Sequence, residues 1–328
     1  MRVLIKGAGV AGLTVALELA RHGIELDVVE RAAAVATGAS GLAGGMLAPW
    51  CERESADEMV LRVGRTAAEW WEAALPGELI RHGTLVVAAG RDAGELTRFA
   101  GRTSDCDWLD GAGIEALEPS LGGRFRKALF FRDEAHLDPR RALAGLHRVL
   151  LERGVRFHFG CDAGDVTGSF DTIIDCTGAA AIGATPNLRG VRGEMLFLET
   201  SEIDLSRPVR LLHPRIPLYV APRDDNRFMV GATMIESDDA GPISARSLME
   251  LLNAAYALHP AFGEARVAEL GVGVRPAYPD NRPRVTVEGN RISVNGFYRH
   301  GFLLTPAMAG QVAAILTNTV PNRERHCA

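Results

Sequence analysis

"MRVLIKGAGVAGLTVALELARHGIELDVVE", residues 1–30, decides how the rest of the chain is read. Residues 2–6 are a short apolar run that reads as a buried strand. Gly7, Gly9 and Gly12 follow in G-x-G-x-x-G order. A helical pattern comes next, with Leu13, Ala16, Leu17 and Ala20 on one face and Gly23 as its stop. "IELDVVE" reads as a second strand ending at Glu30. Strand, helix and strand in that order give a parallel pair with a helical crossover. Each glycine has a reason. Gly7 permits the tight turn, Gly9 lets a pyrophosphate approach the backbone, and Gly12 lets helix and strand pack closely. The helix start offers N–H groups and partial positive charge, and Glu30 can take the hydroxyls of a ribose. A ligand-free glycine turn is the plain alternative.

Working outward, a small-residue stretch "TGASGLAGGMLAP" follows, then a helix with Trp70 and Trp71. From about 79 to 134 short strands dominate, such as "GTLVVAA" and "KALFFRDE". "HLDPRRALAGLHRVLLERG" is a helix opened by Asp138 and Pro139. "VRFHF" and "DTIIDCTGA" read as strands of the parallel type. A second β-rich block runs from about 193 to 231, and a helix near 244–258 follows it. The end is a strand, a glycine-bounded loop and a helix. The expected fold class is α/β (α+β counting the whole chain). A discontinuous Rossmann-like nucleotide-binding domain takes 1–78, 135–190 and 270–328. A mixed, largely antiparallel β-sheet substrate domain takes 79–134 and 191–269.

Composition narrows the function classes. A formal charge of −5 gives no general attraction to nucleic acid or anionic membrane. No run of about eighteen apolar residues exists to span a bilayer, and the N-terminus has no secretory-leader pattern. The cysteines, Cys51, Cys106, Cys161, Cys176 and Cys327, show no C-x-x-C. Reduced thiols in a cytoplasm are expected, with no disulfide framework and no metal site.

One charge is out of place. In "VGVRPAYPDNRP", residues 272–283, Arg275 closes an apolar run with no acid within four positions. A buried guanidinium needs a counter-ion. Another part of the chain can supply it, or a ligand can.

The chain resembles the D-amino-acid oxidase family of FAD-dependent flavoproteins, and within it the glycine oxidase branch of thiamin biosynthesis. The matching pieces are "GAGVAGLTVALELARHG" with Glu30, "GLAGGMLAP", "HLDPRRAL", "TIIDCTGA", "VRGEMLFLE", "LYVAPRDDNRFMVGAT", "GVRPAYPDNRP" and "GFYRHGFLLTPAMAG". They are spread over nearly the whole length.

The resemblance implies FAD held by Gly7, Gly9, Val10, Ala11, Gly12, Glu30, Arg31, Ser40, Gly44, Gly45, Met46, Val166, Gly178, Arg299, His300, Gly301, Phe302 and Leu303. It implies that Arg275 forks onto the substrate carboxylate, that Tyr219 adds its hydroxyl, and that Met234 lines a small pocket. Arg299 would face the active site. Each has a plain rival: a distant acid for Arg275, strand core for Tyr219, packing for Met234, a surface ion pair for Arg299. The implied reaction is oxidation of glycine or a similar small amino acid to the imine and 2-oxo acid, with dioxygen giving hydrogen peroxide. It would supply the thiazole of thiamin. A broader D-amino-acid or sarcosine oxidase and a non-catalytic flavin-binding regulator are the alternatives. "PAYPDNRP" has no Cys, so the FAD is expected to be non-covalent. A homo-oligomer, a tetramer by the family, is implied. The chain departs from the family at Phe297 (commonly His), His300 (commonly Asn) and Trp50 (commonly polar), which bears on pocket shape.

Overall fold

The computed structural model describes residues 1–213 and 218–319; Cys327 lies outside them. The chain divides into two compact units. The first comprises Met1–Gly41, Arg140–Gly190 and the chain from Arg275 onward; the second comprises Leu42–Pro139 and Val191–Val274.

The first unit is built on a six-stranded sheet. Its strands lie in the order Arg284–Glu288, Arg291–Asn295, Thr172–Asp175, Arg2–Lys6, Glu25–Glu30, Arg156–Phe159. Arg2–Lys6 is parallel to both neighbours, with Lys6 opposite Val29 on one side and Asp175 on the other. The C-terminal ends of three strands therefore lie level, which is where open α/β sheets bind ligands. Val3, Leu4 and Ile5 are at most 2% exposed, as expected of a parallel strand covered on both faces. The opening helix, Val10–Arg21, packs against the last helix, Gly301–Thr319. The sheet ends in an antiparallel hairpin, Arg284–Glu288 with Arg291–Asn295.

The strand that ends in Glu30 is anchored by Asp27, a carboxylate only 1% exposed. Burial alone would raise its pKa. Bonds from Arg156, His158 and Arg2 outweigh that and hold the carboxyl well below the usual range.

The second unit is built on a nine-stranded, largely antiparallel sheet. The path runs Ile235–Glu236, Arg189–Glu199, Arg227–Gly231, Leu218–Arg223, Val209–Leu212, Thr84–Ala88, Lys127–Phe131, Asp107–Asp110; Arg266–Ala277 pairs with Arg189–Glu199. Period-two alternation splits it into faces. Leu85, Val209, Leu211, Leu218, Val220 and Val230 pack with Leu251, Ala255 and Leu258 of the helix Ala245–Leu258. The intervening residues form a straight row across five strands: Val86 opposite Arg210, Arg210 opposite Tyr219, Tyr219 opposite Gly231, Gly231 opposite Met195.

The unit boundaries differ from the sequence reading, which kept residues up to 78 with the first domain. Leu42–Pro139 and Val191–Val274 belong to the second unit, so 42–78, 135–139 and 270–274 fall there and not in the first. For 42–78 and 135–139 the reason is a two-residue ribbon, Met46–Leu47 against Ala135–His136. Ala48, Trp50 and Cys51 then pack with Val86, Phe99, Phe131 and Leu212. A strand of two residues has no periodicity for a sequence reading to detect.

Candidate active site

In the first unit the glycine loop has the geometry its spacing predicts. Gly7 has φ +97°, and a Cβ there would lie 2.6 Å from the Cys176 carbonyl oxygen. A Cβ on Gly12 would lie 1.8 Å from the Gly7 carbonyl oxygen. A Cβ on Gly9 would meet only the Ser40 hydroxyl, at 3.2 Å. Gly9 thus leaves open backbone at the helix start, the feature a pyrophosphate requires. Ser40 Oγ accepts from the Val10 N–H (3.1 Å), and Ala11 sits in the same first turn. Glu30 accepts from Ala8 N–H at 2.8 Å and from Ala32 N–H at 3.0 Å. The Glu30 carboxylate is thereby held at the mouth of the loop. Gly301, which opens the last helix, comes close enough that its Cβ would be 3.3 Å from a Val10 methyl. Loop, Glu30, Ser40 and the 301–303 turn therefore share one region of this unit.

The Arg275 and Arg299 segments are also joined. The Tyr298 N–H donates to the Pro276 carbonyl at 2.8 Å, and Ala277 bridges to Phe297. Gly178 (φ +61°) accepts from Asn295 Nδ2 at 3.0 Å, and its Cβ would be 3.9 Å from Pro276. Arg275 is half-buried near the end of the strand Arg266–Ala277. The Arg299 guanidinium lies over the Tyr298 ring, and His300 is buried. Arg31 is exposed and pairs with Asp162. Val166 follows a one-turn helix in the same unit.

In the second unit Gly44, Gly45 and Met46 are gripped from two sides. The Tyr219 ring lies over Gly44, where a Cβ would be 2.6 Å from the ring edge and 3.0 Å from the hydroxyl oxygen. On Gly45 (φ +69°) a Cβ would be 2.1 Å from the Leu137 carbonyl oxygen. Arg223, on the same strand face as Tyr219, donates to the Gly44 carbonyl at 2.8 Å and lies 3.4 Å from Asp138. Met46 is opposite His136. Met234, expected to line a pocket, is 48% exposed.

The family model described as DAO, FAD dependent oxidoreductase, matches residues 2–315. The chain belongs to the FAD-dependent oxidoreductase family. A Rhizobium etli protein bearing the name thiamine biosynthesis oxidoreductase ThiO is 67% identical over the full length of both chains. The glycine oxidase of Bacillus licheniformis is 27% identical, over 97% of this chain and 93% of its own. Among solved structures, iminodiacetate oxidase from Chelativorans sp. aligns with a TM-score of 0.79 at 25% identity, covering 98% of this chain and 97% of its own. Glycine oxidase from Geobacillus kaustophilus shares the fold, with a TM-score of 0.81 at 21% identity, covering 98% and 96%.

FAD is accordingly the cofactor, and the cradle fits it: an open Gly9 backbone, a helix start and a carboxylate at the second strand's end. Glu30→Ala is expected to weaken FAD binding about tenfold, roughly one charge-assisted hydrogen bond. Titration of the apoprotein with FAD, read by flavin fluorescence, measures this. Unchanged affinity would remove Glu30 from the site.

One neighbour of Gly44 that the sequence reading did not name is Arg223. Arg223 had a signal: it shares the period-two face with Tyr219 inside an apolar strand. The three departures are accommodated by burial. Phe297 is 6% exposed, His300 is 3% exposed, and the Trp50 indole N–H bonds Asp105 at 2.8 Å.

Proposed function

We propose that this FAD-dependent oxidoreductase oxidises glycine or a similar small amino acid to the imine and 2-oxo acid. Dioxygen is the acceptor, hydrogen peroxide is released, and the product feeds thiazole formation for thiamin. The observation that carries this reading is the end-to-end 67% likeness to ThiO. The glycine oxidase likeness supports the substrate class.

Bound FAD supplies a hydride acceptor for the substrate α-carbon. The chain's own part is positioning. In this reading Arg275 forks two N–H bonds onto the carboxylate, and Tyr219 contributes its hydroxyl. The substrate must react with its amine unprotonated, so no side chain has to serve as base. The first unit is then the FAD-binding domain and the second the substrate domain. The FAD is non-covalent, because "PAYPDNRP" offers no thiol.

A second reading, a secondary-amine substrate such as sarcosine or iminodiacetate, is favoured by the iminodiacetate oxidase likeness. One experiment separates them. The yellow protein is mixed anaerobically with glycine, sarcosine, iminodiacetate and D-alanine, and bleaching at the flavin band is followed. Fastest bleaching is expected with glycine, and all flavin should enter the supernatant on acid precipitation. Bleaching by none of them would sink the amino-acid reading.

A further inference from the structure

The second unit holds a buried polar cluster on the sheet face that carries Tyr219. Arg210 stands directly opposite Tyr219 on the neighbouring strand. Its guanidinium lies over the Phe99 ring, 3.5 Å from Glu52, and donates to the Cys51 carbonyl at 3.4 Å. From the other side Glu134, 1% exposed, accepts the Cys51 N–H at 2.7 Å. The N–H and the carbonyl of Cys51 are therefore held by two ionisable side chains, Glu134 buried and Arg210 12% exposed. Cys51 lies in the short helix Pro49–Arg53, directly after the Gly44–Met46 segment that touches Tyr219.

We propose that Glu134 is a positioning residue for the substrate end of the site: by holding the Cys51 N–H it fixes the 44–53 segment against the row of Arg210 and Tyr219. This rests on the reading above that Tyr219 faces the substrate.

Packing alone does not explain such a residue. An apolar side chain of similar volume would fill the space with less desolvation cost. Both His136 ring nitrogens, on the residue two after Glu134, are buried without a hydrogen-bond partner among the described residues. Each is a stability cost that the fold retains.

The position also makes the grip sensitive to pH. Burial raises the Glu134 carboxyl to about 7 against the pull of the Cys51 N–H, and the Glu52 charge adds to the rise. The groups facing it are Cys51 and Glu52 on the helix and Thr84 on its strand, with the Arg210 charge close by. His136, pushed down to about 3 by burial, stays neutral throughout. Above neutrality Glu134 is a carboxylate, and its bond to Cys51 N–H is charge-assisted and stronger. Below neutrality it is a neutral acid and the grip loosens.

The test compares the FAD-loaded wild type with Glu134→Ala and Glu134→Gln. Hydrogen exchange is read at the amides of 49–53, and steady-state kinetics with glycine are taken on both sides of neutrality. Glu134→Ala should speed exchange at Cys51 and raise KM about tenfold, more than it lowers kcat. Glu134→Gln should show at every pH the partly loosened exchange of the protonated wild type, and should lose the inflection in KM near pH 7 while keeping the steady change due to the substrate amine. Unchanged Cys51 exchange in the alanine variant, or the same KM inflection in the glutamine variant, overturns the proposal. If the alanine variant does not fold, the glutamine profile decides alone. If wild type turns over no amino acid, the substrate reading fails, and the Cys51 exchange still decides whether Glu134 holds the segment.

Discussion

Arg275→Ala is expected to lower kcat/KM for glycine by a factor of roughly thirty to several thousand while FAD stays bound. The size follows from losing one desolvated charge pair, about 2–5 kcal/mol. The retention of FAD follows from the backbone. Pro276 is pinned by Tyr298, and Ala277 is bridged to Phe297. Gly178 is fixed by Asn295. None of these contacts uses the Arg275 side chain, so they survive its truncation. Arg275→Lys should recover only part of the loss, because an ammonium cannot reproduce the planar two-bond fork. An amine without a carboxylate should lose far less than glycine does. These three comparisons isolate the carboxylate as the partner. Should Arg275→Ala unfold the protein, or leave the glycine kinetics intact, Arg275 pairs within the fold. Arg299 then becomes the first candidate anchor.

How much of this was legible in the sequence depends on the length scale of each signal. The opening strand, helix and strand were legible because every step is local. The glycine spacing fixes a turn, and the apolar periods of two and 3.6 fix the flanking elements. The sheet partners of Arg2–Lys6 were partly legible. Thr172–Asp175 reads as a parallel-type strand, but nothing local says that it lies beside residue 3. The ribbon Met46–Leu47 with Ala135–His136 was not legible at all, and the domain bounds moved with it.

The site shows the same division. Gly44, Gly45 and Tyr219 were named from resemblance, and the structure brings them together in one unit. Arg223, which bonds the Gly44 carbonyl, was overlooked although strand alternation places it on Tyr219's face. Glu134 was beyond reach. In the sequence it is one acid in "FFRDEAH", indistinguishable from exposed Asp133 beside it. Only the tertiary fold buries one and leaves the other in water.

Gly9 and Gly12 look alike in the fingerprint, yet their alanine variants should fail in different assays. Gly12 lies inside the helix Val10–Arg21. By helix propensity alone, alanine there would be better by about 1 kcal/mol. Sterics reverse this, because the new Cβ would stand 1.8 Å from the Gly7 carbonyl oxygen, a backbone atom that cannot rotate away. The helix must move off the strand, and the turn that places Gly7 and Gly9 moves with it. Gly12→Ala should therefore destabilise the apoprotein by about 1–3 kcal/mol or more and lose FAD as a consequence. Gly9 has φ −78° and ψ −175°, a conformation open to any residue. Its Cβ would meet only the Ser40 hydroxyl at 3.2 Å, and a side chain can yield. Gly9→Ala should leave apoprotein stability within about 0.5 kcal/mol of wild type. It should nonetheless weaken FAD binding at least about tenfold, since the methyl occupies the space a pyrophosphate would take against the helix start. Urea unfolding of both apoproteins, set beside their FAD titrations, gives the two readouts. If Gly9→Ala binds FAD as wild type does, the pyrophosphate does not approach the chain at Gly9, and the open backbone there has another cause.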